Sequence, residues 1–355
     1  MRESGRPSVH SSHPAPPAHL FVPFVFASAL VLTSPFIGEM RQWLRVSFPA
    51  AFRWIVAGAI VVAIVVALLH AVRRIRTHRL RRWSALGFAL AVGLLVARSV
   101  SGGDFDVDIV EDVHFVEYGV LTLLFHRVWR PRADASSVLL PVLAAFAVAT
   151  IDEFLQWFLP WRIGEVRDVW IDAAAIGCGL LFGLAIESPA DVGIVRRGSG
   201  TRVAAAAGVA LTAFAWFFVT VHLGHLIHDV DTGAFRSRYT ASDLMKASSD
   251  RARRWEGRTP ATPARFSRED QYLAEGLWHV RRRNEAWSDG DVRAAWAEER
   301  ILERYFAPVA ALPEYRWPDA QRAGAAARNP AGVAGYVSDA NPFAIYDYKE
   351  TGFLR

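Results

Sequence analysis

Long runs of apolar residues alternate with short charged connections over the first two thirds of this chain. Seven of these runs predict transmembrane helices, since a helix crosses a bilayer with about 20 predominantly apolar residues. The predicted spans are 20–38, 54–72, 84–102, 113–125, 137–159, 169–186 and 203–227. From about Asp229 the charges are mixed and no apolar run is long enough to span. We therefore expect a membrane part followed by a soluble part.

The soluble part carries apolar residues at helical spacing on both sides of one turn. Ser267 to Asp270 resembles the capping box that starts a helix, and Ser288 to Asp291 favours a turn. The apolar positions in 272–287 and 292–305 predict an antiparallel helical hairpin around it. Gly, Pro and aromatic residues over 313–355 predict an irregular end.

These patterns predict an all-α fold: a polytopic helical membrane bundle of about seven transmembrane helices with a C-terminal extracytoplasmic helical domain. The first residues are rich in Pro, Ser and His, which is typical of a disordered segment. The expected order is a disordered cytoplasmic lead (1–19), a transmembrane domain (20–186), an additional transmembrane helix (203–228) and a soluble extracytoplasmic domain (229–355).

Positive charge sets the expected orientation. Arginines cluster after the second, fourth and sixth spans, at 73–82, 127–132 and 196–202, and loops of this kind stay in the cytoplasm. The acidic stretch 104–112 is then an outward-facing loop. We expect a multi-pass protein of the inner (cytoplasmic) membrane with its N-terminus in the cytoplasm and its C-terminus outside. The arginines of 41–53 oppose this orientation, and the three later clusters outweigh them.

Composition argues against an ordinary soluble protein and against a nucleic-acid-binding protein. With 52% hydrophobic residues, the 355-residue chain is too apolar for an ordinary soluble protein. The formal net charge of +5 is modest, and the position of the arginines beside apolar runs is explained without nucleic acid. The single cysteine, Cys178, has no partner for an internal disulfide.

Polar residues inside the predicted spans mark the candidate site. A charged side chain at the centre of a membrane helix costs about 2.5 to 3.5 kcal/mol, so several together indicate a buried site or a water-filled cavity. The topology brings the start of helix four, the end of helix five and the start of helix six to one half of the membrane, which predicts a polar pocket open to the outer surface. The candidates are His114, Glu117, Tyr118, Asp152, Glu153, Gln156, Arg162, Asp168 and Asp172.

Helical spacing supports this grouping. Three pairs of candidates are four residues apart, so each pair shares one face of its helix. These pairs are His114 with Tyr118, Asp152 with Gln156, and Asp168 with Asp172. Helix six also carries Gly179 and Gly183, a small-residue spacing that permits the close approach of a neighbouring helix.

The side-chain chemistry separates the candidates into two groups. Those with groups suited to acid/base catalysis are His114, Asp152, Glu153 and Asp168. Those suited to substrate binding are Glu117, Tyr118, Gln156, Arg162 and Asp172. The structural alternative is an interhelical hydrogen-bond network that fixes the packing of the helices.

No metal or cofactor is expected, because spacing such as HExxH is absent from the sequence. His222, His225 and His228 crowd the outer end of the seventh predicted helix. Steps of three spread these side chains over a broad arc instead of aligning them. We interpret them as an interfacial polar cap.

Two sequence motifs in the candidate region carry a family resemblance. The first, His114 to Tyr118, reads HFVEY, and the second, Asp152 to Arg162, reads DEFLQWFLPWR. With Asp168 and Gly177 after them, this order resembles the VanZ-like family of bacterial membrane proteins. Asp172 departs from that pattern, in which an Asn is expected.

The resemblance covers about residues 20–186. It implies an association with the cell envelope and with low-level teicoplanin resistance, without an established chemical activity. It implies nothing about 229–355.

Three functional hypotheses are compatible with the sequence. In the first, the pocket engages a cell-envelope component, either a membrane lipid or a lipid-linked molecule, and contributes to lipoglycopeptide (teicoplanin) resistance. In the second, the protein is an intramembrane acid/base hydrolase or transferase acting on a lipid-linked envelope substrate. In the third, it is a membrane scaffold whose C-terminal domain recruits an extracytoplasmic protein partner.

Overall fold

Helices dominate the structure, a computed structural model. The described residues are 18–48, 51–101, 105–132, 134–158, 164–188, 193–195, 197–255, 268–330 and 332–340. The predicted lead up to residue 17, the predicted capping serine Ser267 and the chain end after residue 340 lie outside this set. Twelve α-helices and one two-stranded sheet occur within the described residues, which confirms the all-α class apart from a small hairpin.

The first seven helices come from the apolar runs. They are α1 (Ala18–Ser47), α2 (Phe52–Arg74), α3 (Arg79–Val100), α4 (Phe105–Trp129), α5 (Ser136–Trp157), α6 (Val166–Ile186) and α7 (Arg197–Phe218). Among the described residues, five helical segments are long and apolar enough to cross a membrane: α2, α3, α5, α6, and Gly198–Leu223, which includes most of α7. They correspond to predicted spans two, three, five, six and seven, so the chain is a helical membrane protein.

The predicted first and fourth spans take a different form. α1 has 30 residues, but its apolar part, Phe21–Ile37, is shorter than the five spans. α4 begins at Phe105, ahead of the predicted start at Val113. Most of the acidic stretch expected to be a loop is therefore helical.

The described residues separate into two compact units. The first takes its residues from Met1–Leu32, Arg53–Ala145 and Ala174–Ala206, and the second from Thr33–Phe52, Phe146–Ala173 and Ala207–Arg355. In the first unit, α4 and α6 approach closely, since a Cβ at Gly179 would lie 2.6 Å from the carbonyl oxygen of Gly119. A Cβ at Gly183 would lie 3.0 Å from the ring of His126. The predicted small-residue face of helix six is confirmed.

The seventh helix ends at a glycine. Residues Val219–Leu223 continue α7 as a π-helical turn, and Gly224 then has a φ of 56°. Glycine adopts a positive φ without steric cost, so it suits this break. The chain continues as two antiparallel strands, β1 (His225–Asp229) and β2 (Gly233–Ser237).

This break corrects the predicted helix over 203–228. Only His222 of the three histidines is helical, because His225 and His228 lie in β1. Ile227 is buried and pairs with Phe235, while its neighbours Leu226 and His228 are exposed. This alternation is typical of a strand with one face on a core.

Five helices follow the strands. They are α8 (Ala241–Trp255), α9 (Arg268–Ser288), α10 (Val292–Tyr305), α11 (Ala307–Ala310) and α12 (Asp319–Arg328). α9 and α10 form the predicted helical hairpin, and Asp291 caps α10 by accepting a hydrogen bond from the N–H of Ala294 (3.0 Å). Tyr272, Leu277 and Ile301 contribute to their shared core. The predicted irregular end is wrong for the residues of α12.

A buried carboxylate holds the last described segment against this core. One oxygen of Glu298, Oε2, lies 2.6 Å from Nδ1 of His279, and the other accepts hydrogen bonds from the hydroxyls of Tyr336 and Ser338. The same segment runs beside β2, where the N–H of Ala234 donates to the carbonyl of Tyr336 (2.8 Å). The core therefore includes residues 332–340.

Candidate functional site

Three polar side chains meet on the last turns of α5. Asp152, Glu153 and Gln156 are 6%, 0% and 2% exposed. The Nε2 amide of Gln156 donates to Oδ2 of Asp152 (3.1 Å) and to Oε1 of Glu153 (2.8 Å). Residues three and four apart lie on the same side of a helix, so one amide can reach both carboxylates. The predicted shared face of Asp152 and Gln156 is confirmed.

The loop before α6 packs against the end of α5. The backbone N–H of Glu165 donates to Oε2 of Glu153 (3.3 Å). A Cβ at Gly164 would lie 2.3 Å from the carbonyl oxygen of Glu153, so a residue with a side chain does not fit here. Glu153 therefore contacts the start of α6 as well as the amide of Gln156.

A histidine from the π-helical turn caps α6. The backbone N–H of Val166, the first residue of α6, donates to Nε2 of His222 (2.9 Å). Because Nε2 accepts this bond, the ring is the neutral tautomer with its proton on Nδ1. The first N–H groups of a helix have no partner within it, and His222 satisfies one of them. Turns of π-helix are frequent at functional sites.

Two aspartates lie on the first turns of α6. Asp172 is fully buried, whereas Asp168 is partly exposed and lies 3.9 Å from Nη1 of Arg167. The N-terminal turn of a helix favours the negative charge of Asp168. Arg162, a predicted binding residue, lies outside the described residues.

The remaining candidates, His114, Glu117 and Tyr118, lie on α4. The rings of His114 and Tyr118 stack with their centroids 6.1 Å apart, which confirms their predicted shared face. Because α4 begins at Phe105, His114 lies in its third turn and not in the first turns as expected. α4 belongs to the first unit, and the polar ends of α5 and α6 belong to the second.

An aromatic contact joins the end of α5 to the residues after β2. Trp157 is only 3% exposed, and the centroid of its ring lies 6.4 Å from that of Tyr239. Trp157 also packs in a core cluster with Val169 of α6 and Val221 of the π-helical turn. Neither Tyr239 nor His222 was a sequence candidate, because the contacts that bring them here join distant parts of the chain.

The cluster on α5 offers hydrogen-bond acceptors in apolar surroundings. Ionised carboxylates accept hydrogen bonds from hydroxyl and ammonium donors, and they take up and release protons. Among the residues that the structure describes, no three His, Cys, Asp or Glu side chains are grouped so as to hold a metal ion.

Apolar helices that can span a membrane, with buried polar residues near the ends of two of them, define a helical membrane protein. Residues 96–186 match the family model described as VanZ/LLP1, and this segment is a VanZ-like domain. The match includes α4, α5 and α6, and it confirms the resemblance that the two motifs carry. No curated protein and no solved structure matches the chain.

Proposed function

We propose that this protein binds a cell-envelope component, a membrane lipid or a lipid-linked molecule, at the cluster of Asp152, Glu153 and Gln156. The observation that carries the proposal is the pair of neighbouring buried carboxylates that share one amide donor. In this proposal the protein crosses the inner (cytoplasmic) membrane several times, its N-terminus is inside, its C-terminus is outside, and the cluster faces outward. Binding there contributes to teicoplanin resistance.

The energetic cost of the cluster favours a function over packing alone. A charge at the centre of a membrane helix costs about 2.5 to 3.5 kcal/mol, whereas a hydrogen bond between membrane helices stabilises by about 0.6 to 2 kcal/mol. Both hydrogen bonds from Gln156 stay within α5, and the N–H of Glu165 joins Glu153 to the segment before α6. We infer that the carboxylates are present for a ligand.

The chemistry of the cluster narrows the class of ligand. Two carboxylates suit the hydroxyl or ammonium groups of an envelope headgroup, since hydrogen bonds to an ionised acceptor are stronger than neutral ones. Asp168 adds a partly exposed carboxylate in the first turn of α6. A headgroup rich in hydrogen-bond donors therefore fits these residues better than a phosphate does.

Copurification tests the proposal. The full-length protein and the variants Asp152→Asn and Glu153→Gln are purified in mild detergent from their own membranes, and the bound lipids are identified by mass spectrometry. We expect one envelope lipid or lipid-linked species with the wild type and a reduction of about tenfold or more in both variants. Hydrogen bonds to charged groups are worth about 1.5 to 3 kcal/mol, which corresponds to this reduction.

Glu187→Gln is the matched control for copurification. Glu187 directly follows the C-terminal end of α6 and pairs with Nη1 of Arg130 (2.9 Å). Its substitution by Gln removes a carboxylate and leaves the residues of the cluster unchanged. The control is expected to retain the lipid of the wild type. The same lipid content in all four proteins would refute the proposal.

A second candidate function is acid/base hydrolysis or transfer on a lipid-linked substrate. The amide of Gln156 favours this function, because the amide holds two adjacent carboxylates that can take the roles of acid and base. Lipid profiling of cells separates the two functions. An enzyme predicts that cells with Asp152→Asn accumulate the substrate, whereas simple binding predicts an unchanged amount of every envelope lipid.

A further inference from the structure

The connection between α4 and α5 holds an arginine with a buried, unbonded nitrogen. Nη1 of Arg132 is buried and has no hydrogen-bond partner among the residues that the structure describes. The side chain as a whole is half-buried, so part of it stays accessible. A buried donor without a partner costs about 1 to 3 kcal/mol, and more when the group is charged.

A second arginine stands near the first. Burial, followed by the charge of Arg202 in the second turn of α7, lowers the pKa of the Arg132 guanidinium below its ordinary value, while Asp134 acts in the opposite direction. The carboxylate of Asp134 accepts hydrogen bonds from the backbone N–H and the hydroxyl of Ser136. The N–H of Ala135 donates to the carbonyl of Gly193 (2.9 Å), which holds the connection beside the segment that leads to α7.

Two neighbouring arginines form ion pairs with a carboxylate, which is the usual arrangement. Arg127 and Arg130 both pair with Glu187, at 3.5 Å and 2.9 Å. Within the part of the chain that the structure describes, neither Arg132 nor Arg202 has an ion pair of this kind. Two cations near each other are unfavourable unless an anion lies close to both.

We propose that Arg132 and Arg202 bind a phosphate group, carried by an anionic lipid headgroup or free in solution. The guanidinium fork matches the oxygens of a phosphate and binds them through two parallel hydrogen bonds. The two residues lie near the first residues of the spans Ser136–Trp157 and Gly198–Leu223, where lipid headgroups are found. Arg132 and Arg202 belong to the first unit and Asp152 to the second, so this site does not depend on the proposed function.

A lipid titration tests this site. Full-length protein in a zwitterionic detergent is titrated with short-chain phosphatidylglycerol and, separately, with inorganic phosphate, and binding is measured from the rise in the thermal unfolding midpoint. We expect phosphatidylglycerol to bind the wild type and to bind Arg132→Gln and Arg202→Gln about tenfold or more weakly, because each variant loses a charged hydrogen-bond donor. Arg202 is exposed, so its variant is expected to fold even if Arg132→Gln does not.

Arg74→Gln is the matched control, since Arg74 is an exposed arginine at the end of α2. It is expected to bind like the wild type. If inorganic phosphate competes with the lipid, the phosphate group itself is recognised; if it does not, the site requires the lipid headgroup. Equal binding by the wild type and Arg202→Gln, or no binding of either ligand to the wild type, would overturn the proposal.

Discussion

Single residues determine where the polar cluster lies. The spacing of four between Asp152 and Gln156 was enough to predict their shared face, because a helix repeats every 3.6 residues. The capping of Val166 by His222 was not predictable, since 56 residues separate them and the geometry depends on a π-helical turn. Local pairs can thus be predicted from sequence, whereas this cap required the structure.

Replacing Gln156 tests the role of its amide. Gln156→Leu keeps a side chain of similar size but removes the donor that Asp152 and Glu153 share. We expect the free energy of unfolding in detergent to fall by about 1 to 3 kcal/mol, the usual effect of leaving a buried polar group without its partner. The measurement is thermal unfolding. Leu155→Ala is the control, because Leu155 is exposed on the same helix.

The raised pKa of Glu275 predicts that the stability of the C-terminal helices depends on pH. It is fully buried, and although Ser237 and Arg238 donate hydrogen bonds to it, burial raises its pKa above the ordinary 4.5. A raised pKa means that the folded state prefers the neutral carboxyl. The contribution of Glu275 to the free energy of unfolding is therefore full below about pH 4.5, and it is lost as the pH rises through the raised pKa of the folded state.

The variant Glu275→Gln removes this titration. We expect its stability to be less dependent on pH above 4.5 than that of the wild type, measured by hydrogen exchange of α9 across a pH series corrected for intrinsic rates. Glu285→Gln, an exposed position on the same helix, is expected to follow the wild type. Identical pH profiles for Glu275→Gln and the wild type would contradict this explanation.

At the scale of elements, apolar runs predicted most of the membrane helices. In a bilayer the backbone must satisfy its hydrogen bonds within the segment, so a long apolar run has few alternatives to a helix. The strands after Gly224 were missed because the apolar pattern continues through Ile227, and only the positive φ of one glycine marks the end of the helix. The alanines of 323–327 were a signal for α12 that the Gly and Pro content of that region obscured.

The contact between α4 and α6 predicts how a substitution in α6 changes the stability of the protein. An added Cβ at Gly179 would lie 2.6 Å from the backbone of Gly119, and backbone atoms cannot move aside as a flexible side chain does. We expect Gly179→Ala to lower the free energy of unfolding by about 1 to 3 kcal/mol, the typical cost of overpacking. Thermal unfolding in detergent measures the change.

Gly177→Ala is the control for this helix contact. No atom lies within 4 Å of a Cβ at Gly177, so the same substitution two residues away meets no obstacle. Alanine also favours a helix over glycine by about 1 kcal/mol. We expect Gly177→Ala to be at least as stable as the wild type, and equal stability of the two alanine variants would show that the close approach is not essential.

At the scale of the whole molecule, the VanZ-like match and the C-terminal residues occupy different parts of the chain. The match ends at residue 186, whereas the strands begin at His225. The ring contact between Trp157 and Tyr239 joins residues from both parts within the second unit. The family resemblance gave no basis for predicting this contact, because it stops before Tyr239.

Removing the ring of Tyr239 tests this connection. Aromatic pairs contribute about 0.5 to 1.5 kcal/mol beyond the area they bury, so Tyr239→Ala is expected to increase hydrogen exchange at the end of α5. Tyr239→Phe keeps the ring and is expected to behave like the wild type. If the protein is a scaffold that recruits an extracytoplasmic partner, Tyr239→Ala impairs its function while substitutions in the α5 cluster have no effect.

The most direct test of the central claim is complementation of a strain that lacks this protein. Glu153→Gln and Asp152→Asn are expressed at the membrane abundance of the wild type, with Glu187→Gln as control, and teicoplanin sensitivity is measured. A binding site on α5 predicts that both cluster variants fail to restore resistance while the wild type and the control restore it. Full restoration by Glu153→Gln and Asp152→Asn would contradict the account and assign the cluster to packing.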